Sequence, residues 1–165
     1  MKIDLSPIIK ETRTKDDVRM LRAGIEVLEM NLYGVGAKSW DSVLDKILPE
    51  RFSANFKDLL AQFSEAEQPE AIKEILSDLK KAVSKFRPLK IDLAFEPTNE
   101  IIDQLNFWVD EELGLEVVLD IGYEKTLLGG ARIAFAGKYG DFSAAKMITE
   151  ILQSEKEKIL KEITG

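Results

Sequence analysis

Cysteine and histidine are both absent from this chain of 165 residues. Without cysteine the chain can form no disulfide, no thiolate metal site and no cysteine nucleophile. Without histidine it lacks the commonest general base and the commonest metal ligand of proteins. Catalysis would therefore have to rest on Asp, Glu, Lys, Ser or Tyr. We accordingly expect no cofactor, no metal and no catalytic residues.

Positive charge and long apolar runs are also scarce. The chain has 23 Lys and Arg against 30 Asp and Glu, a net charge of −7, which disfavours a general nucleic-acid-binding protein. No stretch approaches the ~20 apolar residues of a membrane span. The first residues, Met1 to Pro7, lack the continuous apolar segment of a signal peptide. We therefore expect a soluble, cytosolic chain that meets a membrane only through a partner.

The first half of the sequence contains the alternating spacings of three and four that amphipathic helices show. Thr14 and Asp17 predict a capping box at the start of a long helix, and Gly34 and Gly36 predict its end. Further helices are predicted after Ser39, Pro49 and Pro69, with a short one near Ile8. The apolar stripe of the long helix consists of Val18, Leu21, Ile25, Leu28 and Leu32.

In the second half, strand patterns appear between helices. The segment 90–95 alternates polar and apolar residues, and 115–121 and 132–135 are also predicted strands. A helix follows Thr98. A turn at Ala136-Gly137-Lys138 is predicted to reverse the chain after 132–135, and a last helix is predicted over 144–163. We therefore predict an α+β fold. An all-α helical bundle spans residues 1–88, and a small α/β domain with a short mixed sheet and a long C-terminal helix spans 89–165.

The double glycine of Leu127-Leu128-Gly129-Gly130 is the most conspicuous local motif. A phosphate-binding loop would open a helix, whereas this motif precedes a strand and lacks the fuller glycine and lysine patterns. A tight corner without room for a side chain is the better interpretation.

Two further groups of polar residues have structural interpretations. Tyr139, Asp141 and Ser143 resemble a small acid–base set, but without a histidine the serine remains an ordinary alcohol. A cap on the last helix is the preferred role for Asp141 or Ser143. The carboxylate run 110–112 ends a helix, where negative charge is unfavourable. A solvated face is favoured for this run, and contact with a basic partner is the alternative.

Over roughly residues 89–152 the sequence resembles the C-terminal domain of the ATP synthase delta subunit, the oligomycin-sensitivity-conferring protein family. The family motif is Leu-(Leu/Ile)-Gly-Gly, a strand pair and then Asp-Gly-Ser before the final helix. This chain has Leu128, Gly129 and Gly130, and at the family spacing Asp141 and Ser143. Phe142 stands where the family usually has glycine, and Lys146 stands where a basic residue often follows. Residues 1–88 match less well. The family has six N-terminal helices, whereas four clear helices and a short one near Ile8 are predicted in this chain.

The resemblance implies a non-catalytic subunit of the peripheral stalk of an F-type ATP synthase. The N-terminal helices would hold the amino-terminal segments of alpha subunits, and the C-terminal domain would engage the C-terminus of the b subunit. The subunit would resist rotational torque at the cytoplasmic face of a bacterial plasma membrane. The family-matching residues Leu128, Gly129, Gly130, Asp141 and Ser143 would maintain the fold beside the stalk contact.

For the head contact we expect a groove of exposed apolar residues on the N-terminal helices. The candidates are Val18, Leu21, Ile25 and Leu28. Two other interpretations stay open. An unrelated cytosolic helical adaptor or regulatory protein would also have a groove but would not bind the synthase. A small enzyme would need a concave pocket that gathers polar groups, one of them with a shifted pKa.

Overall fold

The computed structural model describes residues 3–32, 40–64 and 67–144, together with 146, 149, 150 and 153. The chain divides into two compact units. The helical unit comprises Met1–Arg87 and Val109–Val118, and the sheet unit comprises Pro88–Trp108 and Leu119–Gly165. The segment Val109–Val118, which the sequence placed in the second domain, therefore groups with the helices.

Five helices precede the first strand in the described part of the chain: α1 Ser6–Glu11, α2 Lys15–Asn31, α3 Trp40–Ile47, α4 Glu50–Leu60 and α5 Gln68–Lys85. The capping box predicted for α2 is confirmed, because the Thr14 hydroxyl accepts from the backbone N–H of Asp17 and the Asp17 carboxylate accepts from that of Thr14. The short helix predicted near Ile8 is α1. The predicted end at Gly34 and Gly36 and the cap at Ser39 lie outside the described residues.

The core of the helical unit is formed by one apolar face from each of these five helices. Most of these side chains have almost no exposed surface, and the two phenylalanines of α4 have none. Burial of each such side chain contributes about 1.5–3 kcal/mol to folding. The fully buried members with the largest side chains are Ile8, Leu21, Ile25, Leu28, Leu44, Phe52, Phe56, Ile72, Ile75, Leu76 and Leu79.

A buried carboxylate ties the start of α2 to α4. Asp17 is 4% exposed, and it accepts hydrogen bonds from the backbone N–H groups of Arg13 and Thr14. It also pairs with the guanidinium of Arg51 on α4. A buried charge is stable only when it is paired and hydrogen-bonded in this way. The sequence predicted the cap, but not its partner on another helix.

The second half of the chain contains β1 Arg87–Leu93, α6 Asn99–Glu112, β2 Val117–Tyr123, β3 Ala131–Phe135 and β4 Lys138–Asp141. The four strands form one sheet in the order β2-β1-β3-β4. β1 pairs antiparallel with β3, and β3 with β4. β1 and β2 run parallel, because Arg87 donates to Glu116 at one end and Glu124 donates to Leu93 at the other. The predicted α+β class with a mixed sheet is confirmed.

A two-residue turn joins β3 to β4. Ala136 and Gly137 both have positive φ, 49° and 77°, which is the backbone of the hairpin turns that match the twist of paired strands. Phe135 then pairs with Lys138, and Arg132 with Asp141. The turn predicted here is confirmed. Of the last predicted helix, the described residues 144, 146, 149, 150 and 153 are helical, and the remainder lies outside the described residues.

Candidate functional site

The double glycine lies between β2 and β3 and has a backbone that other residues avoid. Gly129 and Gly130 have φ values of +83° and +78°, a region in which a side chain is strained. A Cβ on Gly130 would also overlap the carbonyl oxygen of Phe142 and lie 3.0 Å from the Cα of Ser143. The tight corner predicted from the sequence is confirmed.

Backbone hydrogen bonds attach this corner on two sides. Ala144 donates to the carbonyl oxygen of Gly129 at 3.1 Å, and Phe142 donates to that of Ala131 at 2.8 Å. On the other side, Ala94 donates to the carbonyl oxygen of Gly130 at 3.2 Å. The two halves of the sequence motif, the glycine pair and the segment around Ser143, are therefore directly bonded to each other. We call this arrangement the glycine junction.

Asp141 and Ser143 complete the glycine junction. The Ser143 backbone N–H donates to the Asp141 carboxylate at 2.9 Å, and the Ser143 hydroxyl accepts from the backbone N–H of Lys146 at 3.4 Å. Hydrogen bonds from the hydroxyl and N–H of Ser143 hold the pKa of Asp141 below its usual value, and Arg132 lowers that pKa further. The helix cap predicted for Ser143 is confirmed.

This geometry bears on the acid–base interpretation of the same residues. Ser143 is buried, and Tyr139 is exposed. An Asp141 with a lowered pKa is a weak general base, because its conjugate acid is strong. The arrangement therefore organises the backbone before the last helix and provides no activated nucleophile among these residues.

Leu128 differs from the expectation that it helps to maintain the fold. Its side chain is 69% exposed, whereas that of the preceding Leu127 is 6% exposed. Both leucines lie in the connection between β2 and β3, and only the first enters the interior. Leu127 contributes to the core, and Leu128 presents an apolar side chain at the surface beside the glycine junction.

The predicted groove residues of α2 also require a correction. Leu21, Ile25 and Leu28 are between 0% and 2% exposed and belong to the core of the helical unit. Val18 is partly buried against the same core. The stripe that these residues form is covered by the other helices of the unit, so it cannot line a groove open to a partner.

An open groove nevertheless exists on the adjacent face of α2, where it meets α3. Its volume is about 600 Å³. Met20 and Val27 remain about two-fifths exposed there, at 40% and 41%. The full lining is Met20, Ala23, Gly24, Val27, Lys46, Ile47, Leu48 and Pro49. We call it the α2–α3 groove. The signal that the sequence offered was a second apolar row, Met20, Ala23 and Val27, beside the core stripe.

A polar depression between α3 and α4 gathers charged groups. Lys57 donates to both carboxylate oxygens of Asp45, at 2.7 and 2.6 Å, and Ser53 donates to the same carboxylate at 3.0 Å. The hydrogen bonds from Lys57, followed by the one from Ser53, lower the pKa of Asp45. All three side chains therefore link α3 to α4, through the ion pair of Asp45 with Lys57 and the hydrogen bond from Ser53.

The carboxylate run at the end of α6 lies near positive charge within the helical unit. Burial raises the pKa of Asp110, and the charges of Arg13 and Lys10 oppose that rise. The α6 terminus is followed by Gly114, whose φ of +90° is typical of the residue that ends a helix. Part of the unfavourable charge at this helix end is therefore offset by the chain's own cations.

Among the described residues, none of the helices is both long enough and apolar enough to cross a membrane. No family model matches the chain, and no curated protein matches it. Among solved structures, it is similar to a chain of the Polytomella F-ATP synthase, determined by cryo-electron microscopy in a primary rotary state. The identity is 23%, the TM-score is 0.40, and the similarity covers 47% of this chain and 99% of that chain. At this TM-score, the similarity does not establish membership of a family.

Proposed function

We propose that this chain is a non-catalytic peripheral-stalk subunit of an F-type ATP synthase. It links the catalytic head to the membrane-anchored b subunit and holds the head still while the central shaft turns. The subunit makes and breaks no covalent bond, and it acts by transmitting load through packed interfaces. Its place is peripheral, at the cytoplasmic face of a bacterial plasma membrane.

The observation that carries this proposal is the glycine junction. Leu-Leu-Gly-Gly and Asp-x-Ser flank the β3–β4 hairpin, with ten residues between them, and they were matched to the delta-subunit family on residue type and spacing alone. In the fold they touch, because Gly130 leaves room for the backbone of Phe142 and Ser143. One contact therefore involves both halves of the motif. For this reason we do not attribute the match of these two short motifs to chance.

The α2–α3 groove supports a contact between the helical unit and the head. Amphipathic helices dock through anchors at helical spacing into grooves of this kind. The lining is mostly apolar, with Lys46 as its charged member. At its floor Gly24 allows Leu48 to pack closely against α2, because a Cβ there would overlap the side chain of Leu48. We assign the amino-terminal segment of an alpha subunit to this groove.

The sheet unit supplies the second attachment in this proposal. Leu128 and Phe142 expose apolar side chains, at 69% and 60%, next to the backbone of the glycine junction. Rigid backbone with exposed apolar side chains is suited to bearing load, because the side chains bind while the hydrogen bonds beneath them resist deformation. We assign the C-terminus of the b subunit to this surface.

Mass spectrometry of proteins that co-purify with the tagged chain tests the proposal. The chain is expressed in its native host, and membranes are solubilised in mild detergent before purification. We expect alpha, beta and b subunits of the F-type synthase to be recovered together. Recovery of the tagged chain with a different set of cytosolic proteins would instead support the unrelated adaptor.

A pair of variants tests the assignment of the groove. Val27→Glu places a charge in the α2–α3 groove, whereas Ser84→Glu makes the same charge change at an exposed position of α5. Burying an unpaired carboxylate costs several kcal/mol, so Val27→Glu should reduce recovery of alpha by at least about tenfold. Ser84→Glu should recover alpha as the wild type does. Equal recovery with both variants would contradict the assignment.

A further inference from the structure

The outward face of α6 carries two aromatic side chains in contact with solvent. Phe107 is 66% exposed and Trp108 is 46% exposed. Glu100, Asp103 and Gln104 lie on the same face, because they precede Phe107 by seven, four and three residues. All three side chains are exposed. We call these five residues the α6 face. They all belong to the sheet unit.

The charge of α6 is of one sign. The helix sequence NEIIDQLNFWVDEE contains carboxylates from its first turn to its last and no lysine or arginine. Acidic residues near the N-terminus favour a helix, but those near the C-terminus do not. Most other long helices of the described chain, such as α2 and α5, mix both signs. The α6 face is therefore negative, and α6 itself carries no cation.

Exposed aromatic rings and carboxylates on one helix face have a common ligand chemistry. The face of an aromatic ring is electron-rich and attracts guanidinium and ammonium groups, with tryptophan the strongest. Arginine can stack on such a ring and at the same time donate two parallel hydrogen bonds to a carboxylate. Large exposed aromatics are also enriched where proteins bind other proteins.

We propose that the α6 face binds a cationic segment of a partner protein, with arginine side chains stacked on Phe107 and Trp108. The carboxylate of Glu100 pairs with the same or a neighbouring cation. Charge complementarity selects this occupant, because a negative segment would be repelled and a purely apolar one would leave the carboxylates desolvated. The inference goes beyond the proposed function and does not depend on it, since it concerns a surface of the sheet unit for which no synthase contact was assigned.

Binding of a synthetic peptide to the full chain tests this inference. The probe is a fluorescently labelled helical peptide of about 20 residues with arginines on one face at spacings of three and four. A second peptide has glutamate in place of each arginine, and a third has lysine. Affinities are measured by fluorescence anisotropy at about 50 mM and about 300 mM NaCl, because ion pairing weakens as the Debye length shortens.

We expect the arginine peptide to bind, the lysine peptide to bind several-fold more weakly, and the glutamate peptide not to bind. Phe107→Ala/Trp108→Ala should raise the dissociation constant for the arginine peptide roughly tenfold, and Glu100→Gln should raise it roughly fivefold at low salt. The matched control, Glu96→Gln, removes the same charge at an exposed position that precedes α6. It should change the constant by less than about twofold.

Three results would overturn the proposal. The first is equal binding of the arginine and glutamate peptides by the wild-type chain, or no binding of either. The second is an equal loss of binding in the control and in Glu100→Gln, which would reduce the effect to net charge. The third is a different occupant: self-association by sedimentation velocity that the aromatic variant abolishes would assign the face to a second copy. Each variant must have the circular dichroism spectrum of the wild type. The comparison of the lysine and arginine peptides uses the wild-type chain and therefore requires no variant.

Discussion

The helical unit and the sheet unit are stabilised in different ways. In the helical unit, apolar side chains from five helices fill a common core, and Phe52 and Phe56 are completely buried. In the sheet unit every residue of β3 is only partly buried. There, close backbone contacts at Gly130 and hydrogen bonds around Ser143 fix the path of the chain. One unit depends on side-chain volume, and the other depends on the absence of a side chain at particular positions.

This difference determines which substitutions each unit tolerates. Removal of volume should damage the helical unit, because a cavity replaces lost contacts. Addition of volume should damage the sheet unit at its glycine junction, because backbone atoms cannot move aside as a side chain can. The comparison also separates stability from binding, since the exposed candidates for partner contact, such as Val27 and Leu128, contribute little to either core.

Phe52→Ala should have the largest effect. The ring is fully buried in the helical unit, and its removal should lower the free energy of unfolding by about 3–5 kcal/mol. Urea denaturation followed by circular dichroism measures the change. Phe107→Ala is the control, because that ring is largely exposed, and it should cost less than about 0.5 kcal/mol. A similar loss for both would contradict the assignment of the core.

Gly130→Ala should rank second and should act on the sheet unit. The added methyl group meets both a strained φ and the backbone of Phe142 and Ser143, for a cost of about 3 kcal/mol. Gly137→Ala has a similar φ, +77°, and nothing within 4 Å of its Cβ, so it should cost only about 1 kcal/mol. Thermal unfolding of the two variants compares them. Equal costs would show that the glycine junction is not tightly packed.

Asp17→Ala should have an intermediate effect in the helical unit. The substitution leaves the N–H groups of Arg13 and Thr14 and the guanidinium of Arg51 without their acceptor, at a cost of about 2 kcal/mol. Asp16→Ala removes the adjacent, exposed carboxylate and should cost about 0.5 kcal/mol. The midpoints of urea unfolding at low ionic strength distinguish the two variants, and comparable shifts would argue against the buried pair.

The smallest effect should be the dependence of the sheet unit on pH. The pKa of Asp141 is lowered in the folded chain, chiefly by Ser143, so its ionised form favours folding. This stabilisation is present above the unfolded pKa of ~3.9 and is lost as the pH falls through the lower, folded pKa. Asp141→Asn should therefore reduce the acid-induced decrease in stability, measured by urea unfolding at about pH 7 and about pH 3.

Asp110 provides the opposite case for comparison. Burial raises the pKa of Asp110, so its protonated form favours folding. Its contribution is present below the unfolded pKa and is lost as the pH rises through the folded pKa. Asp110→Asn should therefore not reduce the decrease in stability between about pH 7 and about pH 3. An identical pH profile for the two variants would contradict these pKa directions.

Much of the fold could be predicted from local signals in the sequence. Thr14 and Asp17 specify the start of α2 within four residues of each other. Ala136 and Gly137 likewise specify a turn by their own backbone geometry. The start of a strand was not predicted correctly where its hydrogen-bond partner is distant in the sequence. β1 begins at Arg87, earlier than predicted, because the Arg87 N–H donates to Glu116, and no residue near Arg87 in the sequence indicates that bond.

The site was harder to predict than the fold for a related reason. Spacing shows which residues share a helix face, but it does not show whether the same chain covers that face. Leu21, Ile25 and Leu28 were expected to be available to a partner and are instead core residues. The row that remains open, with Met20 and Val27, lies one residue away on the same helix. By contrast, the β3–β4 hairpin continues in register past Arg132 and Asp141, and this local pairing brings Gly130 against Phe142 and Ser143.

Proton-driven ATP synthesis in membrane vesicles tests the central claim, that the chain couples the synthase mechanically and has no chemistry of its own. Inverted vesicles are prepared from host cells depleted of the chain and assayed with and without purified chain. We predict that vesicles without the chain still hydrolyse ATP at the catalytic head but synthesise almost none, and that added chain restores synthesis. Undiminished synthesis in the depleted vesicles would contradict the account.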